Sequence, residues 1–273
     1  MFGLDKLNIT IIGGDGYIGK ALSGYLDNDG HNVEVFDRKR QGVPVQDFDQ
    51  ALPWADVVVF MAAFPGAEAC KADPKRAVSD NIVAPIVTVY NECLELGAAS
   101  PKFIFISSLG ARDPFQNFYV TTKWIVEQEM MRLADEHGLN IHILRFANVY
   151  GGSDYLKTKN SVISKFAKLK AKGEMIVVSG DGKQKRDFIH LYDICEAVKL
   201  CSEWDGNYSL PIDIGTGVGT SIEELAKMFN HKFTFDPKSD MVGTKDSIAD
   251  TKLAKKLFGF TAKRKLVDYM KGA

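Results

Sequence analysis

The stretch "IIGGDGYIGKAL", residues 11–22, decides the fold of this chain, because it places glycines between an apolar strand-like run and a helix-like run. Gly14, Gly16 and Gly19 fit the spacing G-x-G-x-x-G, and Gly13 begins a second version of it. Such glycines permit a tight turn and let backbone N–H groups at a helix N-terminus approach a pyrophosphate. A plain glycine turn is the alternative. The predicted dinucleotide contacts in this turn are Gly13, Gly16, Tyr17, Ile18 and Gly19.

An acidic residue stands where the second strand is expected to end. Asp37 closes the run "NVEVFD" (32–37), 18 residues beyond the last glycine of the turn. A carboxylate at this place hydrogen-bonds the ribose hydroxyls of NAD and repels the 2′-phosphate of NADP. Arg38 follows directly, and an arginine there could pair with such a phosphate. We therefore predict NAD as the cofactor, with Asp37 and Arg38 beside it, while NADP and an ordinary turn carboxylate stay open as alternatives.

Apolar runs recur along the first half of the chain, with amphipathic helical segments between them. The runs are continuous rather than alternating, which is typical of strands covered on both faces. Strands are predicted at 8–14, 32–37, 56–63, 102–108 and 140–148. Helices are predicted at about 18–28, 75–97 and 119–138. This order indicates an α/β fold with a doubly wound parallel sheet and right-handed crossovers.

Strands and helices alternate less regularly after about residue 150. Further helices are predicted near 160–172, 192–203 and 221–229 and at the end of the chain, with strands at 175–180 and 210–215. We predict that residues 1–150 form a dinucleotide-binding core. Residues 151–273 are then a small substrate-binding lobe, some segments of which return to the core.

Length, composition and charge exclude several classes of protein. A chain of 273 residues with 45% hydrophobic content can bury a large core without disulfides or metal ions. Its net charge of −1, with no separate basic block, argues against a nucleic-acid partner. No run reaches the ~18 apolar residues of a membrane span, and the N-terminus lacks a basic region with a cleavage site, so we expect a cytoplasmic location. The four cysteines form no CxxC pair, which favours reduced thiols and no metal site.

The stretch "SSLGARDPFQNFYVTTK", residues 107–123, joins the fourth predicted strand to the next helix. Tyr119 and Lys123 are one helical turn apart and so share a face. A phenol with a pKa near ~10 is a poor base at neutral pH, but a neighbouring ammonium and a positive nicotinamide ring would lower that pKa. With Ser108 on the same substrate oxygen, the three groups form a proton relay for oxidising an alcohol. Singly, each has another explanation, since a serine after a strand is a common cap.

With the glycine turn, the paired serines and the YxxxK pair in place, the chain resembles the extended short-chain dehydrogenase/reductase family. Within it, the closest likeness is to the NAD-dependent sugar-nucleotide epimerase/dehydratase branch, and it extends over nearly the whole chain. The resemblance implies a Rossmann fold, a nucleotide-sugar substrate, and Ser108, Tyr119 and Lys123 as catalytic residues. It also implies that Tyr119 and Lys123 contact the cofactor.

Four further segments carry the resemblance: "DFDQALPWADVVVFMAA" (47–63), "DNIVAPIVTVYNEC" (80–93), "LRFANVYGG" (144–152) and "GDGKQKRDFIHLYDICEAV" (180–198). They imply cofactor contacts by Asp47, Phe48, Ala62, Ala63 and Asn81. They imply substrate contacts by Asn148 and Arg186, in addition to Ser108, with Arg186 on a phosphate. His190 and Asp193, in the last segment, are expected to hold the lobe to the sheet.

The sequence also departs from relatives with other activities. Dehydratases of this branch carry an Asp-Glu pair directly after the strand-four hydroxyl residue, where this chain has Leu109 and Gly110. Reductases that also epimerise tend to have a cysteine there and to use NADPH. We therefore expect reversible oxidation, in which the sugar is oxidised to a keto-sugar, turns over, and is reduced on its other face, with C4 as the expected centre. A dehydrogenase or reductase, or a non-catalytic dinucleotide sensor, stays open as an alternative.

The apolar surface of the helices near 75–97 and 119–138 predicts a homodimer, because the family commonly dimerises through a four-helix bundle of this kind. The trimmed C-terminal region lacks an arginine in "MVGTKDSIAD" (241–250), where many relatives supply a second phosphate ligand. Lys245 is a candidate substitute, with simple solvent exposure as the alternative.

Overall fold

The computed structural model describes residues 6–38, 54–96, 99–152, 158, 161–237 and 246–271. Three residues with a predicted role, Asp47, Phe48 and Lys245, lie outside the described residues. The strands are β1 (Asn8–Ile12), β2 (Asn32–Phe36), β3 (Val57–Phe60), β4 (Lys102–Ser108), β5 (Ile141–Phe146), β6 (Asn148–Tyr150), β7 (Ile176–Ser179), β8 (Lys185–His190), β9 (Pro211–Ile214), β10 (Gly219–Ser221), β11 (Phe233–Asp236) and β12 (Asp246–Ser247).

The helices lie between these strands. They are α1 (Tyr17–Asn28), α2 (Ala67–Ala72), α3 (Pro74–Val78), α4 (Ala84–Leu96), α5 (Phe118–His137), α6 (Val162–Ala171), α7 (Leu191–Glu203), α8 (Ile222–Met228), α9 (Lys252–Phe258) and α10 (Leu266–Lys271). The helix predicted over 75–97 is interrupted by a π-helical turn at Ser79–Val83, and α2 was not predicted. Within the described part of the chain, no helix is long and apolar enough to cross a membrane.

Six parallel strands form the central sheet in the order β2-β1-β3-β4-β5-β9. Successive residues of β1 and β3 face opposite sides, yet both sides are apolar: Ile11 and Val59 pack in one core cluster, Ile12 and Phe60 in another. Burial of both faces explains the continuous apolar runs in the sequence. The predicted α/β fold with a doubly wound parallel sheet is confirmed.

The later part of the chain builds a second, smaller core. Strands β6, β8, β10 and β12 form a four-stranded sheet, and β7 pairs with β11. Tyr150, Phe166 and Phe188 belong to the core cluster of this lobe. Other late segments return to the main sheet. Strand β9 is the edge strand of that sheet, and helix α7 packs against α1. Strand β6 follows β5 after a single residue and pairs with β8, so the smaller sheet begins at the carboxyl end of β5, where parallel sheets bind ligands.

Candidate active site

The glycine turn folds tightly between β1 and α1. Gly13 has a φ of 89°, and a Cβ atom there would lie 2.5 Å from the backbone N and Cα atoms of Ala62. A Cβ atom on Gly19 would lie 2.5 Å from Gly14 Cα, so this glycine lets the helix pack against the turn. Helix α1 begins at Tyr17, directly after the turn, and its first N–H groups have no intrahelical acceptor. The close approach and the helix N-terminus fit a pyrophosphate group.

The two side chains predicted after the second strand are both engaged by the protein. Asp37 Oδ2 accepts a hydrogen bond of 3.2 Å from the Asp15 backbone N–H, so this carboxylate also braces the glycine turn. Arg38 donates to Asp80 Oδ2 at 3.0 Å, and Arg76 Nε donates to the same oxygen at 3.1 Å. Because Arg38 is already paired with a carboxylate, the geometry favours a cofactor without a 2′-phosphate.

Two more residues of the turn make contacts beyond it. The Tyr17 hydroxyl donates to the backbone carbonyl of Gly151, which ties the turn to the start of the second lobe. Ile18 packs against the main core cluster. Because both side chains have these protein contacts, we expect Tyr17 and Ile18 to contact the dinucleotide through their backbone atoms. This contact stays a prediction.

Asn81 lies beneath the loop that follows β3. Its side chain is 1% exposed, its Oδ1 accepts from Phe64 N at 2.6 Å, and its Nδ2 donates to Phe64 O at 3.1 Å and to Thr122 Oγ1 at 3.2 Å. It thus joins the loop carrying Ala62 and Ala63 to the helix carrying Tyr119. The family resemblance implied a cofactor contact for Asn81. In the structure its side chain bonds to Phe64 and Thr122 of the protein, and the cofactor contact stays a prediction.

The two serines at the end of β4 face different environments. Ser107 is buried and donates to Glu127 Oε1 at 2.5 Å. Ser108 faces a cavity, and its Oγ accepts a 3.3 Å hydrogen bond from Gly110 N, which caps the 3-10 turn over Leu109–Arg112. Alternation along the strand therefore assigns one serine to the interior and the other to the site.

Tyr119 and Lys123 lie in the first turns of α5, which Asn117 caps by accepting from Val120 N at 3.2 Å. Tyr119 is half-buried and lines the cavity with Ser108. Lys123 is only 3% exposed, and its Nζ donates to the Ile106 carbonyl at 2.8 Å. The lysine is therefore anchored to β4 two residues before Ser108.

The protein alone does not lower the pKa of Tyr119. Burial raises that pKa to about 12, with a further contribution from Cys70. Burial also lowers the pKa of Lys123 to about 8, against opposing effects of Glu127 and Cys70. Desolvation dominates the shift of the Tyr119 pKa. The lowering of this pKa that was expected from the lysine together with a bound nicotinamide ring stays a prediction. Lowering this pKa is left to a positive charge on the cofactor side.

A cavity of about 170 Å³ opens at the carboxyl ends of β4 and β5. It brings together four residues that the sequence predicted, namely Ser108, Tyr119, Asn148 and Arg186. Asn148 Nδ2 donates to Asp187 O at 3.1 Å, and Arg186 is half-buried. Sequence reasoning did not assign the other lining residues to a binding site: Leu109, Gly110, Gln116, Val120, Phe146, Ala147 and Ser247. For Gln116, its place in the short loop before Tyr119 was the one available signal.

Buried aspartates hold the lobe around this cavity. Asp193 accepts from Arg264 N at 2.9 Å and from Arg264 NH1 at 2.6 Å, and His190 caps α7 by accepting from Tyr192 N. Both side chains make structural contacts, and the expectation that they hold the lobe to the sheet stays a prediction. Asp187, which sequence reasoning missed, is fully buried and accepts from the backbone of Thr216 and Gly217. Nothing in the sequence distinguishes such a carboxylate from an exposed one.

A parallel sheet, a glycine turn at a helix N-terminus and a Ser-Tyr-Lys set at the carboxyl edge together define a dinucleotide-binding protein of the short-chain dehydrogenase/reductase type. The chain belongs to the NAD dependent epimerase/dehydratase family, whose model matches residues 9–210. NAD is accordingly its cofactor, as the sequence predicted.

Curated relatives and solved structures agree with this family. The chain is 25% identical over 260 residues to a putative UDP-glucose 4-epimerase of Methanocaldococcus jannaschii, with 83% of each chain covered. It is 29% identical over 199 residues to a dTDP-4-dehydro-6-deoxy-D-allose reductase of Streptomyces bikiniensis, covering 66% of this chain and 60% of the relative. The fold is similar to that of a UDP-glucose 4-epimerase from Thermotoga maritima, with a TM-score of 0.84, 24% identity, and 97% and 96% of the two chains covered.

Proposed function

We propose that this protein is an NAD-dependent epimerase that acts on a nucleotide sugar, and that C4 of the sugar is the reacting centre. The observation that carries the proposal is the cavity in which Ser108, Tyr119, Asn148 and Arg186 meet. It combines groups for moving a proton with a guanidinium that suits a diphosphate. The curated relatives named as UDP-glucose 4-epimerases give independent support for this substrate class.

Each side chain then has a distinct part in the reaction. Tyr119 takes the proton of the sugar hydroxyl and returns it when the keto-sugar is reduced, while Ser108 hydrogen-bonds the same oxygen. Lys123, whose Nζ is anchored on the Ile106 carbonyl one helical turn along from Tyr119, is the cation that we assign to stabilising the phenolate in the loaded site. Asn148 and Arg186 orient the nucleotide diphosphate. NAD, when bound, supplies the acceptor for the hydride and the source of its return.

The chemistry of the cavity favours epimerisation over dehydration. Among the described residues that line it there is no carboxylate, whereas a dehydration needs an acid and a base near C5 and C6 of the sugar. Leu109 and Gly110 occupy the places of such a pair. A Cβ atom on Gly110 would lie 2.7 Å from Val120 Cγ1, so the packing leaves little room for a larger side chain at that position.

The test is an assay of the purified protein with UDP-glucose and, separately, UDP-galactose, with no cofactor added beyond what the protein retains. An epimerase interconverts the two over many turnovers, because it regenerates its own NAD. A dehydrogenase or reductase, the alternative favoured by the Streptomyces relative, stops after one turnover and resumes when NAD or NADH is supplied. A sensor binds NAD and shows no turnover in either case.

Removal of the Arg186 guanidinium is expected to weaken nucleotide binding. Hydrogen bonds to charged groups contribute roughly 1.5–3 kcal/mol, so Arg186→Met should raise the Kd for UDP by about 10- to 100-fold. Titration calorimetry with UDP measures this. Lys185→Met is the control, because Lys185 is the exposed neighbour on β8 and does not line the cavity. An unchanged Kd in Arg186→Met would contradict the assigned role.

We also propose that the protein is a cytoplasmic homodimer that pairs through α4 and α5. Exposed apolar side chains at this side include Trp124 and Val83. Light scattering at micromolar concentration should therefore give the mass of two chains rather than 30.2 kDa. Trp124→Glu should shift the protein towards the monomer, because it places a charge in the apolar interface. A wild-type protein that is monomeric at that concentration would refute the proposal.

A further inference from the structure

One wall of the cavity is formed by a segment with little secondary structure of its own. Residues 246–250, which we call the wall segment, include Ser247, which lines the cavity beside Arg186. The segment pairs with β8 through only two residues, Asp246 opposite Lys185 and Ser247 opposite Arg186. A two-residue strand adds few backbone hydrogen bonds, so other contacts must hold the rest of the segment in place.

Side chains from three separate elements hold the next three backbone groups. Arg112 NH1 donates to the Ile248 carbonyl at 2.8 Å. Asp187 Oδ2, on β8, accepts from Ala249 N at 3.3 Å, and Asp213 Oδ2, on β9, accepts from Asp250 N at 2.9 Å. The Arg112 guanidinium also pairs with the Asp213 carboxylate. Arg112 and Asp213 therefore form one ion pair that holds the segment at two backbone groups, the Ile248 carbonyl and the Asp250 N–H.

This ion pair also connects the wall segment to the catalytic end of β4. Arg112 ends the 3-10 turn that begins with Leu109 and is capped by Ser108. Leu109 and Gly110 of that turn line the same cavity as Ser247. Asp213 is only 5% exposed, so its carboxylate depends on Arg112 for charge compensation.

We propose that Arg112 is a positioning residue for substrate binding. By pairing with Asp213 and with the Ile248 carbonyl, it fixes the wall segment, and with it Ser247, against the 3-10 turn that Ser108 caps. The inference rests on the proposed function only in taking a nucleotide sugar as the ligand of the cavity. Arg112 does not itself touch the reacting atoms.

The inference predicts a selective loss of substrate affinity. Arg112→Met removes the grip but leaves the buried Asp213 carboxylate without its cation, so the single variant should also melt at a lower temperature. The double variant R112M/D213N removes that charge, and its asparagine keeps an oxygen for the Asp250 N–H. We expect the double variant to recover the melting temperature but not the substrate affinity, which separates the positioning role from stability.

Four measurements on the full chain test the inference. Hydrogen exchange of the peptide that contains the Ala249 and Asp250 amides should be about tenfold faster in R112M/D213N than in the wild type. The Kd for UDP should rise by about tenfold, and the KM for the nucleotide sugar should rise likewise with kcat nearly unchanged. The affinity for NAD should stay at the wild-type value, because the glycine turn follows β1, whereas the wall segment is held by residues after β4 and on β8 and β9.

The outcomes separate the two proposals. Faster exchange with weaker UDP binding supports the inference even when no sugar nucleotide is turned over, a result that would refute only the epimerase proposal. Unchanged exchange in the double variant, or faster exchange with unchanged UDP affinity, overturns the inference. Lys227→Met, which removes an exposed ion pair with Glu223 in the same lobe, serves as the control and should change neither quantity.

Discussion

Replacing Tyr119 by phenylalanine is expected to reduce turnover of the nucleotide sugar by about 10³-fold, within the range that a positioned acid–base group contributes. The ring that fills the cavity edge is kept, so the variant should fold and retain NAD. What is lost is the phenol, the group assigned to take the hydroxyl proton of the sugar. Epimerisation of UDP-glucose, followed by product chromatography, measures the rate, and calorimetry measures NAD affinity.

A matched control is Tyr192→Phe. Tyr192 is exposed on α7 and does not line the cavity, so its loss should leave turnover within error of the wild type. Because the protein alone raises the pKa of Tyr119 to about 12, the phenol needs the cationic surroundings of the loaded site to act as a base. Near-normal turnover by Tyr119→Phe would refute this residue as the base and the mechanism with it.

Sequence patterns are informative where a single physical requirement determines which residue type a position can hold. Strands β1 and β3 are apolar on both faces because both are covered, and that pattern is visible without the structure. Ser108 and Tyr119 were singled out because they occur together with Lys123 after a dinucleotide-binding glycine turn, and the structure brings Ser108 and Tyr119 to one cavity. The strands β8 and β12 were missed, because β8 joins charged to apolar residues without alternation and β12 has only two residues.

The remaining parts of the site depend on contacts between distant segments. Phe146 and Val120 line the cavity. In the sequence they look like core residues, because an apolar residue gives no sign that it borders a cavity. Arg112 and Asp213 are 101 positions apart and become partners only through the order of β4, β5 and β9 in the sheet. The sequence shows the charged neighbour of Tyr119 but hides the burial, which raises the pKa of this phenol to about 12.

The second large effect is expected at Gly13. Gly13→Ala should weaken NAD binding by at least about 100-fold and destabilise the fold by more than about 2 kcal/mol, since it combines an unfavourable φ with a steric clash. The new Cβ atom would lie 2.5 Å from backbone atoms of Ala62. That backbone cannot easily move, because Ala62 N donates to Ile12 O at 2.9 Å and Met61 N donates to the same carbonyl at 3.0 Å.

Gly30→Ala is the control that separates the steric clash of a new Cβ atom from the cost of a positive φ. Gly30 has a φ of 99°, close to the 89° of Gly13, but a Cβ atom there would meet nothing within 4 Å. Both variants bear the cost of a positive φ, about 1–3 kcal/mol, and only Gly13→Ala pushes the end of β3 away from the glycine turn. Denaturant unfolding and NAD calorimetry on the two proteins distinguish these effects. Equal losses of NAD affinity in both would mean that the close approach of Gly13 to Ala62 has no part in forming the cofactor site.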